Sequence, residues 1–219
     1  MKRGTATRIA ALTLLLALTC AAAEADPPVP SGADPGGIAV AIVSAGIDYR
    51  PAEVAAALAR DGEGQMIGWD FVGHDEYPFA PNLTGAGDPG GLIAASRLAG
   101  TPIRLAAVRI DVADLKMRAA AIAFVSRTPA RIAVLADWRH GPDGTALLEA
   151  AARRAPHLLL IVEKPAEKAS SKPDPRQDAP PTTIYASQDA AGAVARAARH
   201  LAASPAASAA DIKIALAAK

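Results

Sequence analysis

Six consecutive apolar residues, Ile38 to Val43, lie between Gly36-Gly37 and the segment Ser44-Ala45-Gly46-Ile47-Asp48. A run without polar alternation suits a strand buried on both faces, and such strands belong to parallel sheets covered by helices on each side. Gly46 can take backbone angles closed to other residues, which suits a tight exit from that strand. Open parallel sheets gather ligands outside the carboxyl ends of their strands, so any site is expected around Ser44–Asp48.

The rest of the chain repeats this plan. Apolar runs predict further strands at Met66–Val72, Ile103–Ile110, Arg131–Ala136, His157–Val162 and Thr182–Ala186. Helical spacing predicts Pro51–Arg60 with Val54 and Leu58 inward, Leu92–Leu98, and Ala113–Val125 with Leu115, Ala119, Ile122 and Ala123 inward. It also predicts Gly144–Arg154, Gln188–Ala203 and a last helix capped by Ser208 and running to Leu216. Alternating strands and helices argue for the α/β class: three layers, a mostly parallel sheet and right-handed crossovers. Hydrophobic residues make up 51% of the chain but aromatics only 4%, so closely packed alanine-rich helices are expected. Lys164–Pro181 carries five prolines. It reads as a surface loop within one domain, because the strand–helix pattern resumes after it.

The N-terminus has the form of a secretory signal. Lys2, Arg3 and Arg8 precede the short apolar run Ile9–Leu18, and Ala23-Glu24-Ala25 forms a small-residue cleavage site before Asp26. The run is shorter than the ~20 residues a membrane-crossing helix needs. The expected organisation is a signal at 1–25, an exposed Pro/Gly-rich lead-in at 26–37 and an α/β domain at 38–219, exported to the periplasm or beyond. Cleavage would remove Cys20, the only cysteine, whose preceding Thr19 is a poor fit to lipidation. It would also leave 20 basic against 21 acidic residues. That balance offers no footprint for nucleic acid or an anionic membrane surface.

Five segments, in order, resemble the subtilisin-like serine proteases, the subtilases. Val40-Ala41-Ile42-Val43-Ser44-Ala45-Gly46-Ile47-Asp48 is similar to that family's first catalytic block, and Ile67-Gly68-Trp69-Asp70-Phe71-Val72 to the strand that follows. Leu147 to Ala151 with Ala155 to Val162 resembles the helix and strand before the oxyanion-hole asparagine. Ala186-Ser187-Gln188-Asp189-Ala190-Ala191-Gly192-Ala193-Val194-Ala195 resembles the block that opens the buried helix, and Pro205–Leu216 resembles the closing helix. The resemblance implies a truncated subtilisin-like fold.

It also implies that the catalytic positions are substituted. Ser44 stands where the family has its aspartate, Asp88 where it has its histidine, Gln188 at the nucleophilic serine and Ala166 at the oxyanion asparagine. A one-residue shift would place Ser187 at the nucleophile instead. A serine nucleophile needs a base, and the base needs an anion to fix its tautomer. In subtilisin itself, losing triad members costs a factor on the order of 10⁶ in turnover. The resemblance therefore implies a pseudoprotease that binds a protein or peptide partner, with an active peptidase using a shifted site as the alternative.

Other readings stay open. Ser187 with His140 and Asp88 would make a rebuilt nucleophilic set, although polar residues at strand exits are also expected because those exits meet solvent. Trp138, Arg139 and His140 follow a strand whose end, in the family, lines a groove for extended peptide. No two-histidine spacing supports a metal site, and no glycine-rich phosphate motif follows Gly36-Gly37 or Gly90-Gly91, so no cofactor is expected.

Overall fold

The computed structural model describes residues 26–29, 36–81, 87–138, 141–163, 180, 182–186 and 189–217. Among these residues six strands, β1 (Ile38–Ser44), β2 (Gly68–Asp70), β3 (Ile103–Arg109), β4 (Ile132–Leu135), β5 (Leu159–Glu163) and β6 (Thr183–Ala186), form one sheet in the order β2-β3-β1-β4-β5-β6. Every pairing is parallel. Six helices among the described residues accompany them: α1 (Ala52–Ala57), α2 (Pro89–Leu98), α3 (Leu115–Val125), α4 (Pro142–Arg154), α5 (Ala190–Ala203) and α6 (Ala209–Ala217). The expected three-layer α/β architecture is present.

Alternation along the strands divides the core. Val40 and Ile42 of β1, with Leu105, Val134 and Ile161, pack beneath α1, α2, α5 and α6. Ala39, Ala41 and Val43, with Ala106, Ala133 and Leu160, face α3 and α4. The alanines on that second face keep the sheet surface low, so a helix can approach it closely. Burying each large aliphatic side chain contributes about 1.5–3 kcal/mol. The central position of β1, whose Val40, Ala41 and Ile42 are fully buried, therefore anchors the domain.

α2 begins at Pro89 rather than Leu92 and α4 at Pro142 rather than Gly144, each with a proline in its first turn, and α1 and α3 differ more. α1 ends at Ala57 rather than Arg60, because Leu58 turns to extended backbone. It bridges to Leu105, and the Ala59 N–H donates to the Leu105 carbonyl at 2.8 Å. The short β2 leaves that edge of β3 uncovered, and its backbone groups must be paired. β2 is itself shorter than Met66–Val72, since Met66 bridges back to Arg60 and Asp70 to Asp75.

In α3 the inward face is carried by Arg118, Ala121, Ile122, Phe124 and Val125, whereas Leu115, Ala119 and Ala123 point outward. Of the four residues expected inward there, only Ile122 is buried. The last helix forms as expected. Ser208 Oγ donates to the Asp211 carboxylate at 2.7 Å and accepts from the Asp211 N–H at 3.1 Å, a reciprocal cap. Among the described residues, no helix is long and apolar enough to cross a membrane.

Candidate functional site

β1 exits into a closed turn. Ser44 is 4% exposed, and its hydroxyl donates to the Gly46 carbonyl at 2.8 Å while accepting the Gly46 N–H at 3.1 Å. A serine commonly closes a turn on backbone two residues ahead in this way. Gly46 has φ +119°, and a Cβ there would fall 2.7 Å from that of Ala80. Both the conformation and the space demand glycine. The chain after the turn is held by the 71–81 loop: the Ile47 N–H donates to Pro78 O and the Ala80 N–H to Ile47 O, each at 3.1 Å.

Asp48 folds back on Arg50. Its Oδ1 accepts the Arg50 N–H and Nε at 3.0 and 2.9 Å, and its Oδ2 accepts Nη2 at 2.6 Å. The Arg50 guanidinium lies 5.1 Å from the Phe79 ring centroid. The hydrogen bonds from Arg50 lower the Asp48 carboxyl from an ordinary 3.8 to about 2. A pKa lower in the folded chain contributes stability that is complete above the ordinary carboxylate range and lost as pH falls through about 2. Carboxyl-carbon NMR titration is expected to give that midpoint, and Arg50→Ala to return it towards 3.8.

α2 begins against the same strand exits. A Cβ added to Gly87 would lie 3.0 Å from the Ala136 Cβ and 3.6 Å from the Ser44 Cβ. The helix start is thereby wedged between the ends of β1 and β4, beside the point where the strand order reverses. Asp88 is its N-cap, with carboxylate oxygens accepting the Gly90 and Gly91 N–H groups at 3.1 and 3.0 Å. A carboxylate placed there satisfies orphan donors and complements the helix dipole. Ser44 and Asp88 thus come to one rim, each with its polar atoms engaged by neighbouring backbone.

Beyond β4, Asp137 adopts a left-handed φ of 51° and Trp138 is 7% exposed. Arg118 of α3, itself 1% exposed, places its guanidinium 4.7 Å from the Trp138 ring centroid. Its Nη2 donates to the Asp137 carbonyl at 3.1 Å and to the Val112 carbonyl. Arg118 joins the loop after β3 to the exit of β4. Sequence reasoning missed it, because a cation within a helix is placed on the solvent side by rule.

Ala166, Ser187, Gln188, Arg139 and His140 lie outside the described residues. Asp189, which follows Gln188, caps α5 by accepting the Gly192 N–H at 2.7 Å. Among the described residues, the serine hydroxyls that donate do so to oxygens: Ser44 to Gly46, Ser126 to Ala123 and Ser208 to Asp211. The His157 ring Nε2 lies 3.1 Å from the Ser126 carbonyl oxygen, His74 sits in a turn with φ 57°, and His200 lies near the end of α5. No group of three histidine, cysteine or carboxylate side chains fit to hold a metal occurs among the described residues. Comparison with protein-family models gives no match to this chain, and comparison with curated proteins gives none either.

Proposed function

We propose that this chain is an exported, catalytically inactive subtilase-like scaffold whose role is to bind a protein or peptide partner. The observation that carries the reading is the state of the two described triad-equivalent positions. Ser44 closes its hydroxyl on Gly46, and Asp88 holds its carboxylate in the cap of α2. Ser44 offers no anion to orient a base, and Asp88 offers no imidazole to shuttle the proton of a serine. A nucleophile on the α5 side of the rim would face no histidine at the Asp88 position, where hydrolysis needs a proton acceptor. The ordered resemblance of five segments and a parallel sheet whose switch point lies beside Ser44 and Asp88 also support the reading.

The test is reaction of the purified mature chain with a fluorophosphonate serine probe, beside cleavage of unfolded casein. The expected result is no labelling and no cleavage above background, on the order of 10⁶ below an intact triad. Labelling abolished by Ser187→Ala would overturn the proposal and establish the active-peptidase alternative.

A further inference from the structure

The face of the sheet covered by α3 and α4 is left partly open towards β2. A cavity of about 310 Å³ remains there, walled by Trp69 of β2, Phe71 just after it, and Met117 and Ala120 of α3. That volume falls in the range of ligand pockets. His74, Asp114 and Lys116 also line it, and the chain's own lead-in closes one side: Asp26 and Pro27 line the cavity, and Val29 packs on the core of that face.

The lead-in sequence Asp26-Pro27-Pro28-Val29-Pro30 favours an extended polyproline conformation. Aromatic-lined grooves take such segments because they are stiff before binding and lose little entropy on it. The lead-in is lightly held. Arg127 approaches the Asp26 carboxylate at 3.7 Å and donates to the Pro27 carbonyl at 3.3 Å. Both side chains are exposed, where ion pairs contribute little. The open volume beside the lead-in also forgoes packing that a better-fitting segment would make.

We propose that this groove binds an extended proline-rich segment of a partner protein, led by a carboxylate, and that the lead-in occupies it in cis as an exchangeable strap. Trp69 and Phe71 receive the prolines, and Arg127 receives the leading acid. The partner displaces the strap by filling the space that the strap leaves open. The groove shares no residue with Ser44, Asp88 or Trp138, and the inference rests on the proposed function only for the export that frees Asp26 as the start of the strap.

The probe is the peptide Asp-Pro-Pro-Val-Pro-Ser-Gly, followed by tryptophan fluorescence and calorimetry. The mature chain is compared with a strap-loosened chain carrying Pro28→Gly and Val29→Ser, which lie outside every helix and strand. Freed of a strap that occupies most of the population, the groove is expected to bind about tenfold more tightly. In the loosened chain, Arg127→Glu is expected to weaken binding about fivefold. A peptide with lysine in place of the aspartate should then recover it. Equal affinity in the two chains, no binding by a folded loosened chain, or failure of the charge swap would overturn the inference. A concentration-dependent dimer that the peptide dissolves would overturn the partner assignment in favour of a second copy's lead-in.

Discussion

Replacing Arg118 with alanine is expected to destabilise the domain by about 2–4 kcal/mol, because two carbonyls lose a charged donor and a buried side chain is removed. For a domain of this size, that lowers the unfolding midpoint by roughly 10 °C. The guanidinium is buried between three segments: Val112 in the loop after β3, its own helix α3, and Asp137-Trp138 at the exit of β4. Alanine would leave two carbonyls without this donor and a void beneath the indole. A lost hydrogen bond from a charged donor costs about 1.5–3 kcal/mol, less where water can reach the half-buried carbonyl, and the lost cation–π contact adds to that. Arg118→Lys keeps the charge but not the planar fork, so it is expected to lose about half as much. Urea unfolding followed by circular dichroism measures both losses. Trp138 emission separates a local effect from a global one, because the indole should move towards water even in the folded Ala variant. A loss below 1 kcal/mol for Arg118→Ala would show that the strand exits hold their shape without the cation.

The same residue marks where the sequence stops being legible. The strands β1, β4 and β5 are apolar runs buried on both faces, β3 holds such a run at Leu105–Val108, and that pattern alone locates them. α4 and α5 follow their helical spacing for the same reason. α3 does not: Leu115, Ala119 and Ala123 face outward while Arg118 faces inward. The partners that make Arg118 tolerable in the core are carbonyls of two loops, one of them 19 residues away, so no local periodicity encodes them. α1 stops early for a comparable reason, since the uncovered edge of β3 competes for the backbone of Leu58 and Ala59.

At the rim, position was more legible than chemistry. The glycine turn after β1 and the gathering of Ser44 with the start of α2 follow from parallel-sheet rules. The cap made by Asp88 was written in Asp88-Pro89-Gly90-Gly91, with an acid before a first-turn proline. The engagement of Ser44 with Gly46 had no signal beyond a serine two residues before a glycine.

Asp70→Ala is expected to cost about 3 kcal/mol, and Asp70→Asn about 1–2 kcal/mol, because the amide keeps an acceptor oxygen but loses the charge. Asp70 is 2% exposed at the end of β2. Its Oδ2 pairs with Arg109 Nη1 at 2.7 Å, and its Oδ1 accepts the Val72 and Gly73 N–H groups at 2.7 and 2.8 Å. Arg109 ends β3, so the pair ties two neighbouring strand ends, and the two N–H bonds set the direction of the loop that follows. That loop then donates and accepts at Ile47, three residues beyond Ser44. The side chain therefore acts on the rim at a distance, through a turn that it shapes. Native-state hydrogen exchange tests this directly. In Asp70→Ala the Ile47 and Ala80 amides should exchange faster than the amides of β4 and β5, by more than the global loss of stability accounts for. If all of these amides lose protection equally, the loop is held instead by its own contacts, such as the edge-to-face pair of Tyr49 and Phe79 at 5.3 Å. Asp70 would then be a general stabiliser of the β2 edge rather than the residue that holds the β1 exit in place.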